Sequence, residues 1–291
     1  MITEISNERL TLRVNSYGAE VENLILDGKR DVMWTADPEY WEKKDPILFP
    51  CIGNNWAGQI QIDGNAFPLE KHGFVRDMEF ELKEQTEHSL TYVVSDTPET
   101  RKHYPFAFKL EVVYTLNETT LSVCWKVHNP NSTTMPFMVG AHPAFILPDY
   151  KDGETHGYLR VSEVDELQST RTLPYGYAQP EIIDEFDLTN HLLALTDTTF
   201  ECDTILDRTG RVSEVELLDK EKNELVSVRF DMPVIAIWSP KNGQCPFVCI
   251  EPWCGSCDTY QYEGEFHERP YVNKINPGEA WENTYYIDVK G

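Results

Sequence analysis

Residues 106–128 read FAFKLEVVYTLNETTLSVCWKVH, and the spacing of their apolar side chains decides the fold class. Phe106, Phe108, Leu110, Val112, Tyr114 and Leu116 alternate with Ala107, Lys109, Glu111, Val113 and Thr115. After a polar turn at Asn117-Glu118, Leu121, Val123, Trp125 and Val127 alternate with Ser122, Cys124, Lys126 and His128. Successive side chains of a strand point to opposite faces, so this period of two spells two half-buried strands joined as a hairpin. A second hairpin is expected between Val212–Leu218 and Leu225–Phe230, turning at Lys220-Glu221-Lys222-Asn223. Met78, Phe80 and Leu82 alternate in the same way. Helical periodicity is scarce; one short helix is expected near Leu188–Leu195, inside a long connection. The economical architecture is all-β, an antiparallel sandwich or large barrel, with residues 1–291 as one domain.

Bulk properties narrow the function. The 18 prolines and 16 glycines suit many short strands joined by turns. A formal net charge of −24 repels phosphate backbones and anionic lipid, which argues against nucleic-acid and membrane partners. No apolar run approaches the roughly 18 residues that span a bilayer. The first residues carry neither the basic nor the apolar segment of a secretory leader. Seven cysteines form no regular framework, which fits reduced thiols and a cytoplasmic location. Cys245, Cys249, Cys254 and Cys257 invite a zinc reading, but only the last two form a CxxC, so no metal is expected. Serine-hydrolase, P-loop, dinucleotide and zincin motifs are absent from the sequence.

Two histidines and one glutamate stand out. His142 lies in the small, apolar run Val139-Gly140-Ala141-His142-Pro143-Ala144, where an imidazole needs either a partner or a substrate. A core histidine bonded to a backbone carbonyl is the alternative. His72, in Lys71-His72-Gly73-Phe74-Val75-Arg76-Asp77, precedes a strand, where binding residues collect; a charged turn is the alternative. Glu251 follows the apolar run Phe247-Val248-Cys249-Ile250 and precedes Pro252-Trp253. Partial burial there raises a carboxyl towards the range of a general base, unless an arginine pairs with it. His88, His103, His128 and His156 have polar neighbours and read as solvated surface.

Taken together, these segments resemble the aldose 1-epimerase family, in particular its LacX-like branch of galactose mutarotase-related proteins. Tyr17 to Glu20 (YGAE), Trp34 to Trp41 (WTADPEYW), Pro46 to Gly53 (PILFPCIG), His72 to Asp77 (HGFVRD), Gly140 to Phe145 (GAHPAF) and Cys249 to Gly255 (CIEPWCG) follow the family's order. The resemblance implies a galactose mutarotase-like β-sandwich whose concave face holds a sugar. It implies His142 as general acid, Glu251 as general base, and His72, Asp203 and Arg76 as groups that contact or support the substrate. Many relatives carry an arginine where Asn54 follows Gly53, so a substrate-facing cation is missing here or comes from another segment.

The implied reaction interconverts the α and β anomers of a hexose by opening and closing the ring, without metal or organic cofactor. Trp253 is the candidate aromatic wall, and an imidazolium facing a carboxylate is the expected charge state. Two alternatives remain open: a non-catalytic sugar-binding or sugar-sensing protein, and an epimerase for a hexose phosphate held by Lys71 or Arg76. A glycoside hydrolase lacks support because Glu251 has no evident second carboxylate. The oligomeric state is not legible from the sequence.

Overall fold

In the computed structural model, which describes residues 1–161 and 164–291, strands dominate and the helical pieces are single 3₁₀ turns. The expected hairpin is the strand pair Lys109–Asn117 and Thr120–His128, with Leu121, Val123, Trp125 and Val127 all fully buried. It starts three residues later than the alternation predicts. Ala107 donates its N–H to Asn131 Oδ1 (3.0 Å) and accepts from Asn131 Nδ2 (2.8 Å), so a side chain replaces the ladder there. The second hairpin forms from Glu214–Leu218 and Glu224–Phe230.

These strands belong to a nine-stranded antiparallel sheet. Its order is 192–195, 157–161, 214–218, 224–230, 280–289, 120–128, 109–117, 89–95 and 81–85. A second antiparallel sheet runs 139–140, 247–254, 234–238, 204–207, 166–171 and 179–187, with 144–146 also paired to 247–254. A four-stranded sheet at residues 2–31 and two short pairs complete the fold. One hydrophobic cluster joins the large sheets, taking Val123, Trp125 and Ile287 from the first and Ile237, Val248 and Ile250 from the second. Each fully buried side chain of this kind contributes roughly 1.5–3 kcal/mol, so face-to-face packing rather than turn chemistry holds the strands.

The expected helix near Leu188–Leu195 is not there. Asn190 and His191 both have positive φ (55° and 60°), and Thr189 and Leu192 bridge across them before the strand Leu192–Leu195. Two successive left-handed residues make a tight hairpin turn, which a helix cannot contain. The long connection expected around it in fact carries the strands Glu166–Arg171 and Gln179–Asp187. Met78 and Phe80 precede their strand, which spans Glu81–Gln85. His156 is a correction too: it is 1% exposed and lies 2.9 Å from Asp197, not solvated.

Two buried polar clusters fix the segments that converge on the second sheet. Arg269 reaches Asp258 (2.7 Å) and Asn55 Oδ1 (2.7 Å), while Asp258 N–H donates to Asn54 O (3.0 Å). Asp45 accepts from His142 N–H (3.3 Å) and Tyr285 O–H (3.3 Å), tying the second sheet to the first. Burial, and then Glu20, push the Asp45 carboxyl up to about 7. Native Asp45 therefore keeps a proton that the unfolded chain has released. Its favourable contribution is complete below the ordinary carboxylate range and is lost as pH rises through about 7. Asp45→Asn, which cannot ionise, should gain on the wild type by about 3 kcal/mol between about pH 5 and about pH 8. Urea melts at both pH values check this; a difference independent of pH would contradict it.

Candidate functional site

Every residue of the strand Phe247–Cys254 is buried, and its alternation divides two environments. Val248, Ile250 and Cys254 enter the main cluster. Phe247 and Cys249 join a smaller one with Trp34, Ala144 and Cys245, flanked by Tyr40, Trp41 and Trp238. Glu251, two residues on from Cys249, shares that second face.

The edge facing this strand is interrupted. Val139 and Gly140 pair with Cys254 and Trp253, and pairing resumes with Ala144 opposite Cys249 in unchanged register. That register sets His142 directly across from Glu251. Ala141 N–H donates to Pro252 O (3.1 Å) and Ile250 N–H to Pro143 O (3.2 Å), but neither proline can return a bond. Between two such hydrogen-bonding positions lies a non-bonded pair, where antiparallel side chains come closest. His142 Nε2 accordingly lies 3.2 Å from Glu251 Oε2, with the two side chains 10% and 1% exposed. Trp253 Nε1–H donates to Ala141 O (3.0 Å), supplying a donor where Pro252 has none. Gly140 makes room for that indole: a Cβ there would sit 2.5 Å from Trp253 Cδ1.

Aromatic rings hold the imidazole. Trp41 lies 4.8 Å from the His142 ring at 31°, and Trp238 and His72 meet it edge-on at 5.7 Å. His72 has φ 68°, and its Nδ1 accepts the Gly53 N–H at 3.1 Å. An accepting Nδ1 places the proton of the neutral ring on Nε2, which becomes the donor. Gly73 permits this turn, since a Cβ there would lie 2.0 Å from Phe49 O.

All seven residues singled out in the sequence, His142, Glu251, His72, Asp203, Arg76, Asn54 and Trp253, line one cavity of about 420 Å³. Asp203 sits exposed at φ 72° just before the strand Thr204–Asp207. Arg76 Nη2 donates to Lys71 O (3.0 Å), and its Nε lies 3.4 Å from Asp77. Asn54 Nδ2 donates to Gly176 O (3.0 Å). Lys43, Lys71 and Arg76 all line the cavity, so cations come from other segments where position 54 has none. Trp253 is 4% exposed, and the more open Trp41 and Trp238 form the aromatic walls. Those two tryptophans, and the Thr172 and Gly176 wall, are what sequence reasoning missed; only Trp41 fell inside a quoted motif.

The four clustered cysteines do not converge. Cys245 and Cys249 lie on the site face, Cys254 in the main core, and Cys257 against Gly53. Cys249, His142 and Glu251 bring one donor atom each within 4.8 Å of one another. Burial raises both the Cys249 thiol and the Glu251 carboxyl well above their ordinary ranges, which opposes the anions a metal would need from these two.

Burial also opposes the expected charge state of the central pair in the free protein. It lowers the His142 imidazole to about 3, with Lys71 acting in the same direction. It drives the Glu251 carboxyl upward against the opposing pull of Lys71, with Asp203 and Asp45 adding to the rise. Both shifts act in one sense: in the free protein burial favours a neutral imidazole beside a carboxylic acid over two ions, and Glu251 Oε2 and His142 Nδ1 are left without a hydrogen-bond partner among the described residues.

Comparison with known proteins agrees with this architecture. The protein LacX (chromosomal) of Lactococcus lactis subsp. lactis is 33% identical over 303 residues, covering 99% of each chain. The structure of a galactose mutarotase related enzyme from Lactobacillus acidophilus superposes with a TM-score of 0.92 at 29% identity, over 100% of this chain and 98% of that one. A galactose mutarotase-like protein from Lactobacillus casei ATCC 334 gives 0.92 at 24% identity, over 100% of both chains. A family model described as aldose 1-epimerase matches residues 1–288, and the chain belongs to that family.

Proposed function

We propose that the cavity binds an aldose in its ring form and interconverts its α and β anomers, with His142 and Glu251 passing the protons. The observation that carries this reading is the 3.2 Å contact between two buried titratable groups in the lining of an open cavity. Glu251, as carboxylate, takes the proton from the C1 hydroxyl while imidazolium His142 protonates the ring oxygen. The C1–O5 bond opens to an aldehyde, C1–C2 rotates, and the reverse transfers close the ring on the other face.

Ring opening converts imidazolium and carboxylate into neutral imidazole and carboxylic acid. That product state is the one burial favours. The dry floor of the site therefore stabilises the open-chain complex, and donors around the sugar must stabilise the ionic form. His72 Nε2–H is suited to that task, while Lys71 favours the carboxylate but opposes the imidazolium. Asp203, Asn54 and Arg76 offer acceptors and donors to hydroxyls, and Trp41 and Trp238 offer apolar surface to the C–H face of the ring.

Each proton-transfer group in such a reaction supplies about 10²- to 10⁴-fold. His142→Asn and Glu251→Gln should each slow α-to-β exchange of glucose or galactose by that order, measured by NMR exchange, with circular dichroism unchanged. Near-normal exchange in either folded variant would sink the assignment. Sugar binding without any exchange would identify a sensor instead.

The cations lining the cavity favour a second substrate, a hexose phosphate. On that reading inorganic phosphate inhibits exchange competitively, and Lys71→Met weakens the inhibition about tenfold or more. Exchange indifferent to phosphate would leave the neutral hexose as substrate.

A further inference from the structure

One nitrogen of the His142 ring, Nε2, faces Glu251 at 3.2 Å. The other, Nδ1, is buried and has no hydrogen-bond partner among the described residues. Closed to solvent, it is reached neither by water nor by a sugar in the cavity. An imidazolium carries a proton and part of its charge on that nitrogen, and a histidine that works as an acid ordinarily rests it on a carbonyl or a carboxylate. Asp45, the nearest candidate, is taken up by the His142 backbone N–H and the Tyr285 hydroxyl. Burial, and after it Lys71 and Arg76, act against a charged ring. What remains around the imidazole is aromatic: Trp41 lies over it at 4.8 Å and 31°, and Trp238 meets it edge-on at 5.7 Å.

Trp41 is fixed on every side. Its N–H donates to Asp37 O (3.0 Å), its carbonyl accepts from Trp34 Nε1 (2.9 Å), and Trp238 and Phe247 flank its ring at 5.6 and 5.9 Å. The face of an indole is electron-rich, and a cation within about 6 Å of its centroid is attracted to it most strongly where water is excluded. We propose that Trp41 is a positioning residue for the anomer exchange proposed above, on which this role rests. Its indole face stands in for the acceptor that Nδ1 lacks, stabilises the imidazolium while Glu251 is the carboxylate, and raises the share of the pair ready to open the ring. An aromatic face suits this duty better than a second carboxylate. A carboxylate would add another anion to a buried site and compete for the proton, whereas an indole attracts the charge without accepting the proton.

The test keeps the shape of Trp41 and changes its electrons. Site-specific replacement of Trp41 by mono-, di- and trifluorotryptophan draws charge from the indole face in steps, with almost no change in volume. The expected result is a stepwise loss of kcat for α-to-β exchange of glucose, about tenfold across the series, with KM little changed. Among natural residues, Trp41→Phe, which keeps a weaker π face, should retain more of kcat than Trp41→Leu. A kcat indifferent to fluorination would overturn the role and leave Trp41 as packing alone. A loss carried by KM instead would overturn it too, because it would set the indole against the sugar rather than the imidazolium. Absence of exchange in the native protein would overturn the proposed function and this role with it, an outcome distinct from a native protein that exchanges and a fluorinated series that does not slow.

Discussion

The site depends on one strand pairing and on the two prolines that interrupt it. Pro143 and Pro252 each delete one ladder hydrogen bond, on opposite strands, on either side of the His142–Glu251 position. Register is kept across the gap because pairing is intact at Val139–Gly140 and at Ala144–Ile146. The lost bonds are partly made good by the Trp253 indole, which donates to Ala141. The outcome is a non-bonded pair of close side chains held on a fully buried strand. Asp45 behind His142 and the rings of Trp41 and Trp238 leave the imidazole little freedom to turn.

Burial on this scale has an electrostatic consequence. An ion alone in such a place is costly, but a pair that shares one proton is neutral in sum whichever member holds it. The two placements differ in solvation, and anomer exchange alternates between them. A site of this kind need not hold a permanent charge, only groups around the sugar that bring the two placements near balance. The chain carries a net charge of −24, yet Lys43, Lys71 and Arg76 gather at the cavity. Lys43 and Arg76 both lie within ion-pair distance of Asp77, so Lys71 is the lining cation best placed to favour a hydroxyl or a phosphate.

Much of this was legible in the sequence. Unbroken alternation from Leu110 to Leu116 and from Leu121 to Val127 marked the central hairpin, because each strand has one face in the core. Its start was not, because Asn131 takes over the hydrogen bonds of Ala107. The turn at Asn190-His191 was misread because Leu188, Leu192 and Leu195 fall at helical spacing, while two positive φ values reverse the chain. His142 and Glu251 were recognisable by type and surroundings. Their contact was not, since it follows from register between strands 109 positions apart in the chain. Trp238 and Gly176 have no local chemistry to announce them and reach the cavity only through the fold. Asn55, beside the departure at Asn54, serves as a scaffold through Arg269 and Leu69.

The central claim is that His142 and Glu251 hold one proton between them and move it through the sugar. The direct measurement is the pH dependence of enzyme-catalysed α-to-β exchange, followed by NMR from about pH 2 to about pH 10, a range that reaches below the His142 imidazole. The account predicts a bell: the acid limb falls where both groups are protonated and no base remains, and the alkaline limb falls where neither can donate. Glu251→Gln should abolish that bell. A catalysed rate that is flat across this range, or that keeps the same bell in Glu251→Gln, would contradict it.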